Sequence, residues 1–254
     1  MLRNLYADAR KTLYCKGFHI GLALLVAYLI INGIYNLILC KIFGGYIIAE
    51  ELIFSFNGVA IFWITASTLI ISDRDFADGC IRNKLISGVT RTDTFISAVF
   101  GGMLQGVIYS LVAFVGSYLI SLVMSKGFFD YTAPETAGFF LVTVMTCIAI
   151  GAFSTTLVMV FGGSKIVYVV GLTLAFGMSL LTADVLDKLY PGTGYCKLTG
   201  AKLAIYTFID KFVPYSYLAA MPHHSFRYYL TGCAGLTIIS IVTGLIIFGK
   251  KEIK

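Results

Sequence analysis

Residues 73–93 read DRDFADGCIRNKLISGVTRTD and pack eight charges between two long uncharged stretches, Leu52–Ser72 and Thr94–Ser125. The reading of this island decides the fold, because the rest of the chain is too apolar for a soluble domain. Mean hydropathy is +0.88, apolar residues make up 58% and charged residues only 13%, which places the chain among polytopic membrane proteins. Working outward from the island, six stretches run free of charge: Gly17–Cys40, Leu52–Ser72, Thr94–Ser125, Thr136–Ser164, Ile166–Ala183 and Tyr228–Gly249. Each is long enough for the roughly 20 helical residues that cross a hydrocarbon core. The expected fold class is an all-α membrane protein with six spans, forming one transmembrane domain over residues 1–254.

Loops rich in Lys and Arg stay on the cytoplasmic side. With the N-terminus inside, the inner segments carry 12 of the 19 cations and 6 of the 13 acids, so the whole excess of +6 lies on that side. Both termini and the 73–93 loop are therefore expected in the cytoplasm. The basic pI of about 8.9 does not imply nucleic acid, because the cations border apolar spans and form no aromatic-interleaved basic face. The first apolar stretch exceeds the h-region of a signal peptide, and no small-residue cleavage motif follows, so it is expected to remain as an anchor. The six cysteines are scattered with no ligand spacing, and Cys40 and Cys196, both near the outer side, could pair as a disulfide outside the cell.

Residues 1–16 place Leu2, Leu5, Tyr6, Ala9 and Leu13 at helical spacing with Arg3, Arg10 and Lys11 around them. This fits a helix in the inner headgroup layer, or equally the start of the first span. The island reads as a short amphipathic helix with Ser72 or Asp73 at its start, an Asp78–Arg82 pair, and Phe76, Cys80, Ile81 and Leu85 on one side. Gly79 implies a bend or a close backbone contact, Gly88 a helix stop, and Thr90-Arg91-Thr92-Asp93 a capping box for the next span. The other polar segment, residues 184–227, is expected outside as a folded insert. Turns are expected at Pro191-Gly192-Thr193-Gly194, Pro214 and Pro222, and an amphipathic helix over Ala201–Phe212.

Several functions lack their chemistry. No charged side chain lies within a span, which argues against a carrier coupled to an ion gradient. Asn32, Asn36, Asn57 and Gln105 remain at depth, suited to bonding between helices or to lining a polar path. A TVGYG-like filter is absent, and Gly17/Gly21 and Gly102/Gly106 read as helix packing. Glu50-Glu51 is a paired carboxylate without a zinc-protease motif or the arginine of diacid membrane proteases, His19 stands alone, and the adjacent His223-His224 point apart. Neither a nucleophile elbow nor a phosphate-binding loop occurs. Catalysis, a metal site and a nucleotide cofactor are thus not expected in this chain.

The segment Phe76-Ala77-Asp78-Gly79-Cys80-Ile81-Arg82-Asn83-Lys84-Leu85-Ile86-Ser87-Gly88-Val89-Thr90-Arg91 resembles the cytoplasmic loop of type-2 ABC transporter permeases. The layout is similar along almost the whole chain: a basic N-terminal helix, six spans, a loop between spans two and three, an insert before span six and the basic tail Phe248–Lys254. The resemblance implies a coupling helix over about Asp75 to Leu85 that docks on a separate ATPase subunit. Phe76, Ile81 and Leu85 would give apolar contact, Asp75, Asp78, Arg82 and Lys84 would orient by charge, and Gly79 lies within it. Asp78 stands where the family more often has glutamate. A second permease copy or a related permease is implied, with ATP and Mg in the partner ATPase and the lipid bilayer around both. The expected activity is export of a hydrophobic or amphipathic compound such as a drug, lipid or antimicrobial peptide. The alternative is a non-transport sensor or assembly protein that holds a cytoplasmic partner through the same loop.

Overall fold

The computed structural model describes residues 2–129, 131–162, 164–191, 196, 198–219 and 225–251. Among them no strand occurs, and eleven helices follow in order: α1 Leu2–Tyr14, α2 Lys16–Phe43, α3 Ala49–Ile53, α4 Asn57–Ala77, α5 Cys80–Ile86, α6 Arg91–Met124, α7 Ala133–Phe161, α8 Ile166–Leu189, α9 Ala201–Phe212, α10 Ser216–Ala219 and α11 Phe226–Lys250. Six segments are long and apolar enough to cross a membrane: α2, α3 together with α4, α6, α7, α8 and α11. Each overlays one charge-free stretch of the sequence, so the all-helical class and six membrane-length helices stand among the described residues.

Local chemistry sets the helix ends. Gly44, at φ 72°, turns the end of α2 and returns its N–H to the Cys40 carbonyl. The Thr132 side chain and Glu135 cap the start of α7 reciprocally, with a proline in the first turn.

The core centres on α7, whose most apolar stretch is 61% buried against α4, α6 and α11. Glycines let α6 and α7 approach to backbone contact. A Cβ on Gly106 would lie 2.4 Å from the Cys147 carbonyl oxygen, and one on Gly151 would lie 2.3 Å from that of Gly102. The Gly102/Gly106 spacing is therefore a packing feature, as expected.

Polar side chains at depth bond between helices. The Ser67 hydroxyl lies 2.8 Å from that of Tyr109, which donates to the Phe18 carbonyl at 3.4 Å, and Gln105 Oε1 lies 3.3 Å from Ser67. Thr143 donates to Asn57 Oδ1 and Ser154 to Thr65, both at 3.3 Å. Asn36 instead donates to the Asn32 carbonyl of its own helix at 2.9 Å.

Candidate functional site

The 73–93 island forms a corner at one end of the bundle. Its architecture corrects one expectation. Ser72 and Asp73 do not cap a new helix, because α4 continues through them and through Asp75 and Phe76 to Ala77. The break comes at Gly79, where φ is 67° and the N–H returns to the Phe76 carbonyl at 3.0 Å. A left-handed residue cannot lie inside a continuous helix, so the expected helix from Asp75 to Leu85 is two elements meeting at a glycine. α5 then ends in a Schellman closure around Gly88 (φ 88°): Val89 N–H bonds the Lys84 carbonyl and Gly88 N–H that of Leu85, both at 3.1 Å. Thr90 Oγ1 accepts the Asp93 N–H at 3.1 Å and caps α6, in the place the sequence indicated.

The faces of α5 point in definite directions. Ile81 is 3% exposed and, with the half-buried Phe76 and Leu85, packs on Phe95, Val99, Met159 and Phe248. The apolar side of the corner thus meets its own bundle. Asp78, Arg82, Asn83, Ile86 and Ser87 are exposed, with Ile86 at 74%. Asp78 and Arg82 form no ion pair with each other among the described residues. Gly79 and Cys80 are half-buried at the bend.

The charged residues of the corner bind α1 instead. The Lys84 ammonium pairs with Asp8, and that of Lys11 with Asp75. Asp8 is buried, its Oδ2 has no hydrogen-bond partner, and it borders a cavity of about 20 Å³ shared with Thr12, Ser72, Asp75 and Gln105. Partial burial works to lower the Lys11 pKa, but the hydrogen bond and charge of Asp75 outweigh it and leave it raised. Sequence reading missed both pairs. Asp8 and Lys11 stand three apart on one helix, yet nothing local names partners more than sixty residues away.

The end of α11 locks into the same region. Arg91 donates to the carbonyls of Gly249 at 3.0 Å and Lys251 at 2.6 Å, while Lys251 Nζ donates to the Val160 carbonyl at 2.8 Å at the end of α7. These are cations on helix C-termini, where the dipole favours them. Lys251 also lies 5.3 Å over the Phe76 ring, and burial pushes its pKa down. The rest of the tail, residues 252–254, lies outside the described residues.

The opposite end holds the remaining expectations. Glu50 is buried and accepts the N–H groups of Phe129 at 2.8 Å and Tyr131 at 3.2 Å, whereas Glu51 is exposed, so the two carboxylates do not converge. α9 matches the expected helix over Ala201–Phe212, and its buried Asp210 receives the Tyr228 hydroxyl at 2.9 Å and that of Tyr190 at 3.4 Å. Burial first, and then the Asp210 charge, push Tyr190 up to about 12. All six cysteines are free, so the Cys40–Cys196 pairing is not formed. Gly192, Thr193, Gly194, Pro222, His223 and His224 lie outside the described residues. Among those described, no cluster of three His, Cys, Asp or Glu side chains could hold a metal. Compared with known proteins, the chain matches no protein-family model and no curated protein.

Proposed function

We propose that this chain is the membrane-spanning subunit of an ATP-driven exporter, of the type-2 ABC permease kind, and that α5 is the element by which an ATPase subunit moves it. The observation that carries the reading is the corner itself. A short helix between two membrane-length helices keeps Ile81 and Leu85 in the bundle and leaves Arg82, Asn83 and Ile86, with Asp78 at the preceding bend, open to a partner. A partner pressing on that face would act on a rigid unit, because α5 is joined to α1 by the Asp8–Lys84 pair and to α6, α7 and α11 through Phe95, Met159 and Phe248. Displacement of the corner would then tilt the bundle as a body.

In this reading α1, α5 and both termini are cytoplasmic, α9 faces outward, and the protein sits in the cell membrane beside a second permease chain. ATP and its Mg would be held by the partner. The substrate class is hydrophobic or amphipathic. The test is affinity co-purification of the detergent-solubilised chain, comparing wild type with Arg82→Glu/Ile86→Ala, whose changed side chains lie outside the core. An ATPase subunit retained by wild type and lost by the variant is expected. Retention of a partner without ATPase motifs would instead favour the sensor or assembly reading.

A further inference from the structure

α1 has a second face for which the bundle offers no use. Asp8 and Thr12 are buried against the bundle, and Leu5 and Ala9 are half-buried beside them. On the side turned away, Arg3, Tyr6, Ala7, Arg10, Lys11 and Tyr14 line a shallow, open hollow along this one helix. Tyr6 is 69% and Tyr14 73% exposed there, and the Arg10 guanidinium lies 5.6 Å over the Tyr14 ring. The one acid of α1, Asp8, points the other way and is held by Lys84, and neither Arg3 nor Arg10 has an ion-pair partner among the described residues. The hollow therefore combines unneutralised guanidinium groups with uncovered aromatic surface.

Its position selects the occupant. At Cys15 the backbone is extended (φ −68°, ψ 128°) and the chain turns directly into α2, the first membrane-length helix, which puts α1 at the depth where headgroups lie. Tyrosine favours that layer, with its ring against apolar material and its hydroxyl in water. Guanidinium groups match phosphate oxygens in a bidentate manner. We propose that this hollow binds the headgroup of an acidic phospholipid, with Arg3 and Arg10 on the phosphate and Tyr6 and Tyr14 against the glycerol and upper acyl chain. A free phosphate ion would leave both tyrosines uncovered, and a choline headgroup would bring a cation against Arg3, Arg10 and Lys11. Because Lys11 lines the hollow and pairs with Asp75, the bound lipid stands one side chain from the α4–α5 corner. The proposal rests on the six membrane-length helices and not on the exporter reading.

The experiment is native mass spectrometry of the full chain in a mild detergent, titrated separately with dioleoylphosphatidylglycerol and dioleoylphosphatidylcholine. Wild type should retain the glycerol lipid preferentially, and Arg3→Gln/Arg10→Gln should weaken that retention about thirtyfold, as two cations near an anionic surface imply. Arg3→Lys/Arg10→Lys, which keeps the charge but not the bidentate fork, should fall between wild type and the glutamine variant. Circular dichroism should show the same helix content in all three proteins. Equal retention of the two lipids by wild type would overturn the proposal, as would a preference that survives Arg3→Gln/Arg10→Gln, displacement by excess inorganic phosphate alone, or equal loss in the lysine variant.

Discussion

Removing the ammonium of Lys84 would leave the Asp8 carboxylate buried without its ion-pair partner. Because Lys84 itself is about a quarter exposed (23%), water can partly reach the site, and Lys84→Met should cost on the order of 2 kcal/mol, below the full penalty of a buried broken pair. Adding Asp8→Asn removes the stranded charge, so the double variant should melt closer to wild type than the single one in a detergent thermal scan. The neighbouring pair gives a pH signature. Lys11 is raised above its ordinary 10.5, so its contribution is fully present below that value and is lost as the pH climbs past the raised folded value. Wild type should therefore lose stability on the alkaline limb more steeply than Lys11→Met. Neither pair was legible in the sequence. Periodicity places Asp8 and Thr12 beside Leu5 and Ala9 on one side of α1, but an amphipathic reading assigns a charged side chain to water rather than to the protein interior.

At the scale of the element, glycines carry what hydropathy does not. The one-sided placing of Phe76, Cys80, Ile81 and Leu85 is read straight across Gly79, so the pattern alone merges the end of α4 with α5. The left-handed turn separates them. Gly79→Ala should cost about 1 kcal/mol for the forced conformation, and Gly79→Asn less, since asparagine tolerates that region. Gly106→Ala differs in kind. Its Cβ would meet the backbone oxygen of Cys147 at 2.4 Å, which no side-chain rotation can relieve, so α6 and α7 must separate. A loss of about 2 kcal/mol or more is expected, with reduced hydrogen–deuterium protection in both helices. The ends at Thr90 and Gly88, by contrast, were legible from sequence, because both act within four residues of themselves.

At the scale of the molecule, span number follows from hydropathy, while orientation rests on an asymmetry of loop charge and is open to direct measurement. An even number of crossings returns α1 and the end of α11 to one side, consistent with the Arg91 bonds to Gly249 and Lys251. It also puts the α8–α9 connection opposite the α5 corner. Cys196, exposed in that connection, and Ser87, exposed at the corner, report on the two sides. In cells producing a chain whose sole thiol is Cys196, a membrane-impermeant maleimide should label it before lysis. With Ser87→Cys as the sole thiol, labelling should appear only after permeabilisation. Exchange of the two patterns would invert the orientation and remove the cytoplasmic docking face from α5. Labelling of both before lysis would break the six-span arrangement itself, because the three crossings between them, α6, α7 and α8, put the two positions on opposite sides.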